Sequence, residues 1–306
     1  MKSDVRGAYF LADDGVWDLA LAFLNSFRRH NPDIRLCLIP FSANISRLKE
    51  LQNNYGFSIY QNTELLNICD DISLCFHGKP LGHYRKLAAW QGEFEEFIYV
   101  DVDTVVLDNI DFAFKFISKY DFVASHSNMR HIVKCTWKES IYKTGELPEE
   151  AIGYAANTGF IVSKKGAIAL KEVKEKAEYA VRLLPDMELR SKEQAFLNYL
   201  IVTSGRKYTS LFCLWQETRS PDIKLEQWAG TTGRKVRNGQ IVFKPHPVFL
   251  VHWAGKWTVT WFDKMLFSIL KAFRIKEEDD EPVTRFFMPY KRLWRHYRFM
   301  REDART

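Results

Sequence analysis

The sequence predicts an α/β fold, with a mostly parallel central sheet flanked by helices and a basic helical tail behind it. Three observations carry this expectation. Apolar β-type runs alternate with helical patterns through residues 7–100, and strands joined through helices re-enter a sheet in the same direction. The strongest run, 97–100, ends directly in Asp101, and ligand sites of such sheets lie at the carboxyl ends of the strands. A chain of 306 residues that is 46% hydrophobic and 27% charged can also bury a sizeable core without disulfide or metal staples.

Taken in order, residues 7–11 read as a buried strand. Residues 16–29 read as a helix with Trp17, Leu21, Leu24 and Phe27 apolar at near-helical spacing. A second strand is expected over 35–41, a second helix through Ile45, Leu48, Leu51 and Tyr55, and a short strand over 57–60. A helix over 84–90 leads into the strand at 97–100. Beyond it the pattern is more mixed. Residues 157–163 read as a strand, 165–180 as a helix, and 191–201 as a helix opened by a Ser-x-x-Gln capping signature at Ser191 and Gln194. Asn238-Gly239, set between alternating residues of 235–243, signals a hairpin, and 249–252 a last strand. The segment 127–156, with His131, Trp137 and Tyr142, stays open between a lid and a plain surface loop.

The five cysteines (Cys37, Cys69, Cys75, Cys135, Cys213) form no CxxC pair and are odd in number. This argues against a zinc ribbon or a secreted disulfide framework and for buried residues in a reducing cytosol. The N-terminal apolar stretch is short and is cut off by Asp13 and Asp14, unlike a signal peptide. No run approaches the ~20 apolar residues of a spanning helix. The expectation is a cytoplasmic chain, free or held at a membrane surface.

The residues best suited to chemistry are Asp101 and Asp103, in the exit of the 97–100 strand. Side chains at i and i+2 of a strand face the same side, so both carboxylates can converge on one hard cation, Mg²⁺ or Mn²⁺. Such an ion also takes phosphate oxygens and neutralises charge on a diphosphate leaving group.

With these residues in view, YRKLAAWQGEFEEFIYVDVDTVVLDNID (84–111) resembles the metal-site region of the family 8 glycosyltransferases, which include glycogenin and bacterial lipooligosaccharide galactosyltransferases. The similarity continues in scattered blocks from about Val5 to Trp257. The resemblance implies a GT-A fold and retaining transfer of a hexose from a UDP-sugar to an acceptor hydroxyl, with Mn²⁺ (or Mg²⁺) as cofactor. It implies that Asp13, in FLADDG, contacts the nucleotide base; an N-cap role for Asp13 or Asp14 competes. Lys86 stands where the family helps to hold the donor; an exposed, merely solvated lysine is the competing reading. In ANTGFIVSK, Asn157 matches a residue that binds hydroxyls of the donor sugar, with Gly159 leaving room for close approach. In SKEQAFLNYL, Glu193 and Gln194 match the acid-Gln helix start near the reacting carbon, where the family usually has Asp rather than Glu; a capping box is the competing reading. In FLVHWAGKW, His252 matches the third metal ligand, and imidazole with carboxylates suits Mn²⁺ better than Ca²⁺. Lys256 keeps the type of the diphosphate-gripping lysine, but it follows Gly255 at once and the proline of the family motif is missing.

The net charge of +6 is concentrated in the tail. Between residues 285 and 306 seven basic residues (Arg285, Lys291, Arg292, Arg295, Arg298, Arg301, Arg305) oppose Glu302 and Asp303, a balance of +5. The body is close to neutral, which weakens any nucleic-acid reading of it, and no nucleic-acid partner is expected. Tyr290, Leu293, Trp294, Tyr297 and Met300 recur at helical spacing among the basic residues, the pattern of a helix lying on an anionic membrane, with docking against the protein's own body or a partner subunit as the competing reading. The five acids 277–281 before Pro282 read as a solvated linker. The expected division is therefore a GT-A domain over 1–276, an acidic linker over 277–283 and a membrane-surface tail over 284–306. The partners are a UDP-sugar, a glycan or lipid-linked acceptor, and the inner face of the membrane. Two rivals stand beside this reading. Nucleotidyl transfer needs a glycine-rich basic loop after the first strand, which LADDGVWD does not offer. A catalytically inactive sugar-nucleotide or glycan binder is the other, and the shortened HWAGKW motif keeps it open.

Overall fold

The computed structural model describes residues 5–228, 235–237, 240–242 and 247–254. The turn at Asn238-Gly239, Lys256 with its neighbours Gly255 and Trp257, the acidic linker and the basic tail lie outside the described residues.

Except that the helix expected through 45–55 is two short ones and that the helix over 63–77 was not expected, the first half alternates strands and helices as its sequence predicts. It runs β1 (Arg6–Ala12), α1 (Trp17–His30), β2 (Arg35–Pro40), two short helices α2 (Ser46–Glu50) and α3 (Gln52–Tyr55), β3 (Phe57–Ile59), α4 (Thr63–His77) and β4 (Glu96–Asp101). The second half holds β5 (Thr104–Val106), β6 (Phe122–Ala124), α5 (Arg130–Thr136), α6 (Ile141–Thr144), α7 (Glu149–Tyr154), β7 (Phe160–Lys164), α8 (Leu170–Ala180) and α9 (Gln194–Val202). It closes with β8 (Tyr208–Ser210), α10 (Leu211–Thr218), β9 (Leu225–Trp228), β10 (Lys235–Arg237), β11 (Gln240–Val242) and β12 (Val248–His252). β10 and β11 pair antiparallel across the expected hairpin.

Seven strands form the main sheet in the order β3-β2-β1-β4-β7-β6-β8. β3, β2, β1 and β4 run parallel, β7 is antiparallel to both neighbours, and β8 is parallel to β6. A second sheet has the order β5-β12-β9. β1 reads as a near-continuous apolar run because both of its faces are covered. Tyr9 and Leu11 join one core with Leu65, Cys69, Ile72 and Phe76 of α4. Ala8 and Phe10 join the other with Phe23, Leu24 and Phe27 of α1. Arg28 ties the loops on that side together, its guanidinium donating to the carbonyls of Tyr55 (2.5 Å), Ile34 (2.6 Å) and Gly56 (2.8 Å).

Strand order reverses between β1 and β4, so their carboxyl ends open side by side, with Leu11 in register with Asp101. Such a switch point leaves a crevice for a ligand.

Several local expectations change. The stretch expected as a helix over 84–90 is a 3₁₀ run, Gly82–Gln91. Its sequence explains this, since Tyr84, Leu87 and Trp90 repeat every third residue and all three are buried. Three residues per turn eclipses them on one ridge. The helix expected over 191–201 starts only at Gln194 and carries no side-chain cap. Lys192, at φ +59° and ψ −117°, breaks the chain direction just before it. Ser191 Oγ instead donates to the carbonyls of Cys135 and Glu188, so the Ser191–Gln194 capping box does not form. Residues 157–159 approach β7 as a loop, and α8 starts at Leu170 rather than at 165. The 127–156 segment is no loose loop, and it borders the site through Thr136, which accepts from Gln194, and His131, whose ring meets Trp228. It is α5, α6 and α7 packed inward through Ile132, Trp137, Ile141, Leu147 and Ile152.

Candidate metal and donor site

β4 ends at Asp101 and β5 begins at Thr104, so the two aspartates sit at the exit that their sequence predicts. The Thr104 hydroxyl donates to the Asp101 carbonyl (2.7 Å) and pins the turn. His252 arrives from the end of β12, which pairs antiparallel with β5, His252 opposite Thr104. One ligand atom from each of Asp101, Asp103 and His252 lies within 4.8 Å of the others. His252 Nε2 is 3.1 Å from Asp103 Oδ1 and 3.8 Å from Asp101 Oδ2. The donor set, two carboxylates and an imidazole, fits a Mn²⁺-type ion.

Gly159 makes this convergence possible. A Cβ there would stand 2.2 Å from His252 Cε1 and 2.9 Å from Asp101 Oδ2. The close approach anticipated at this glycine is thus made by the ligand side chains themselves.

Behind the ligands lies a buried charged layer. Lys86, 3% exposed, pairs with Glu193 at 2.5 Å and with Asp101 at 3.4 Å, and donates to the Thr158 carbonyl (3.4 Å). It is therefore no solvated surface lysine. Burial works to lower its pKa, and the two carboxylates more than offset this and raise it. Burial likewise opposes ionisation of Asp101, yet Lys86, His252 and the Tyr99 hydroxyl (2.7 Å) hold its pKa below the usual range. Desolvation disfavours the charged form of His252 as well; the carboxylates of Asp103 and Glu226 outweigh it and push the pKa well up. Among the described residues, the ion pairs of Asp101, Asp103, Glu193 and Glu226 in this cluster are made with Lys86 and His252, and His126 adds favourable charge at Glu226. Excess negative charge in a partly desolvated crevice is the condition in which a divalent cation is held most firmly.

The other expected residues fall around this core. Glu193 is 4% exposed and also accepts from Thr158 Oγ1 (3.0 Å). Gln194 is half-buried and donates its amide to Thr136 Oγ1 of α5 (3.1 Å). Asn157 is 7% exposed, and its Oδ1 accepts from Gly159 N (2.7 Å). Asn198, one turn after Gln194, holds the preceding backbone by accepting from Ala156 N (2.6 Å) and donating to Ala156 O (3.0 Å). Asp13 caps the 3₁₀ turn at Asp14–Val16 by accepting from Gly15 N (2.9 Å), and it also accepts from Ser42 Oγ (2.7 Å). Asp14 takes the amides of Arg47 and Leu48, both at 3.0 Å, at the start of α2. Asp13 thus caps only the short turn ahead of α1, which itself has no side-chain cap, and Asp14 serves α2 instead; Asp13 directly follows β1, at the mouth of the switch point.

Sequence reasoning missed Glu226, Tyr99, Asn198 and His83. Tyr99 was legible at i−2 from Asp101, and Asn198 at i+4 from Gln194 on the same helix. His83, three residues before Lys86 on the same ridge of the 3₁₀ run, is near enough to Glu193, Lys86 and Asp101 for their charges to act on it. Beside the metal ligands, rings of His131, Trp228, His126 and Phe212 succeed one another at centroid separations of 4.9, 4.6 and 5.3 Å.

Three of the solved structures that share this architecture are glycosyltransferases. The galactosyltransferase LgtC, in complex with donor and acceptor sugar analogues, matches over 89% of this chain and 98% of its own, with TM-score 0.52 and 14% identity. The bifunctional glycosyltransferase WbbM, in its apo form, matches over 95% of this chain and 52% of its own, with TM-score 0.58 and 14% identity. Mouse xyloside xylosyltransferase 1, also apo, matches over 83% of this chain and 99% of its own, with TM-score 0.51 and 11% identity. No protein-family profile matches the chain, and no curated protein matches it. At these identities the likeness is one of fold: the chain has the GT-A glycosyltransferase fold that the sequence resemblance implies.

Proposed function

We propose that this protein is a retaining family 8 glycosyltransferase that moves a hexose from a UDP-sugar to an acceptor hydroxyl, with Mn²⁺ or Mg²⁺ as cofactor. The observation that carries this reading is the convergence of Asp101, Asp103 and His252 at the switch point of a GT-A sheet, with Lys86 buried behind them. These three residues would hold the ion, which when bound neutralises charge on the diphosphate leaving group. In this reading Asp13 receives the uracil N–H and Asn157 orients the donor sugar. Lys86 adds positive potential behind the leaving phosphate, and Glu193 keeps that lysine in place. Gln194 supplies a dipole near the anomeric carbon. Attack from the face that the phosphate leaves passes the acceptor proton to that phosphate, so no protein base is required. Lys256 is assigned the diphosphate grip by resemblance alone.

The half-buried Trp228 and exposed His131 favour a glycan acceptor, because aromatic faces take the apolar face of a pyranose. No helix among the described residues is long and apolar enough to cross a membrane. Attachment through the basic tail at 284–306 and a cytoplasmic place at the inner membrane face are part of the same proposal.

The test is release of UDP from a panel of UDP-sugars with and without Mn²⁺. Turnover of one donor that stops on chelation supports the transferase. Tight Mn²⁺-dependent UDP binding with no turnover on any donor or glycan acceptor supports the inactive binder instead.

A further inference from the structure

The metal-site resemblance ends at His252, but the structure continues the site by one more residue. Glu226 of β9 is 1% exposed, and its Oε1 lies 2.6 Å from His252 Nδ1. β9 and β12 run parallel with Trp228 in register with His252, so Glu226, two residues before Trp228, is the diagonal neighbour of His252 on the same face. A register shift between Val248 and Leu250 sets this alignment.

We infer that Glu226 is a positioning residue of the metal centre, which holds the His252 imidazole with Nε2 turned toward Asp101 and Asp103 and so gives the site its preference for Mn²⁺ over Mg²⁺. The inference rests on the reading of Asp101, Asp103 and His252 as a cation site.

The geometry supports it from both ends of the ring. Nδ1 is engaged by the carboxylate while Nε2 faces both aspartates, at 3.1 and 3.8 Å. A metal-bound imidazole is ordinarily fixed in this way, its second ring nitrogen donating to a carboxylate that orients the ring and raises its basicity as a ligand. A purely structural role explains the residue type poorly. Burying a carboxylate is costly unless it faces a partner, and a neutral amide or an apolar side chain would fill the same space between β9 and β12 without that cost. Selectivity follows from ligand type: imidazole suits transition-metal ions, whereas carboxylate and water suit Mg²⁺ equally well. A ring free to turn away would leave two carboxylates, which discriminate little.

The experiment is calorimetric titration of Mn²⁺, and separately of Mg²⁺, into the metal-free full chain of wild type, Glu226→Gln and Glu226→Ala. The melting temperature of each protein is recorded alongside. Glu226→Ala is expected to weaken Mn²⁺ by about 10–100-fold and Mg²⁺ far less, so that the preference narrows. Glu226→Gln keeps an acceptor oxygen and is expected to fall between. Equal weakening of both ions, or an unchanged Mn²⁺ preference in the folded Glu226→Gln protein, overturns the role. A wild type that takes up neither ion overturns the cation site itself, and the inference with it.

Discussion

The site has two layers that differ in what water reaches. At its rim, the side chains of Asp101 and Asp103 are 28% and 31% exposed. Its floor comprises Lys86 and His252 at 3%, Glu193 at 6% and Glu226 at 0%. Rim charges are free to take a ligand, and solvent screens them when none is there. Floor charges are shut off from water and are held by one another and by the two rim carboxylates. Substitutions at the rim should therefore remove function and leave the fold, whereas substitutions on the floor should damage both.

The largest effect on stability is expected at the centre of the floor. Lys86→Met leaves the Glu193 carboxylate buried without its partner, which costs roughly 3–5 kcal/mol in comparable buried pairs. Denaturant unfolding measures it. The double variant Lys86→Met/Glu193→Gln should recover most of that loss, because it removes the orphaned charge as well. A double variant no more stable than the single one would break the distinction between the layers.

Next comes the seam where rim and floor touch. Gly159→Ala drives a methyl into His252 Cε1 and Asp101 Oδ2, an overpacking that costs about 1–3 kcal/mol. It should also weaken Mn²⁺, since the displaced atoms belong to two of the three ligands. Calorimetric titration of the ion, read beside the melting curve, shows whether both effects arrive together.

The smallest effect is expected outside both layers. Trp228→Ala removes one face of the aromatic row, and an aromatic contact of this kind contributes ~0.5–1.5 kcal/mol. KM for a glycan acceptor from a panel of p-nitrophenyl pyranosides should rise several-fold while KM for the donor holds. A rise in donor KM instead would place Trp228 on the nucleotide side of the crevice.

The same two layers divide what was legible in the sequence. The rim was readable because a buried strand ends in Asp101 and its exit turn carries Asp103, a local pattern at the carboxyl end of a strand, although the turn and not strand alternation brings the second aspartate round. The parallel half of the sheet was readable for a similar reason, as apolar runs alternate with helices from β1 to β4. The floor depends on pairings far apart in the chain. Lys86 meets Glu193 across more than a hundred residues of sequence, and Glu226 meets His252 through a strand register. Neither contact leaves a local trace, so Lys86 was open to a surface reading and Glu226 passed unnoticed in LEQW. Ser191 and Gln194 mislead for the opposite reason. Their local pattern is a good capping box, but Lys192 turns the chain between them, and tertiary contacts to Cys135 and Thr136 take both side chains.

The claim on which the rest depends is that the rim binds a nucleotide diphosphate through a divalent ion. Calorimetric titration of UDP into wild type and Asp103→Asn, each with Mn²⁺ and with chelator, tests it directly, because the substitution keeps the shape of the side chain and removes its charge. The account predicts UDP binding by wild type only when Mn²⁺ is present, with that binding lost in Asp103→Asn at a melting temperature close to that of wild type. UDP binding that survives both chelation and the substitution would contradict it.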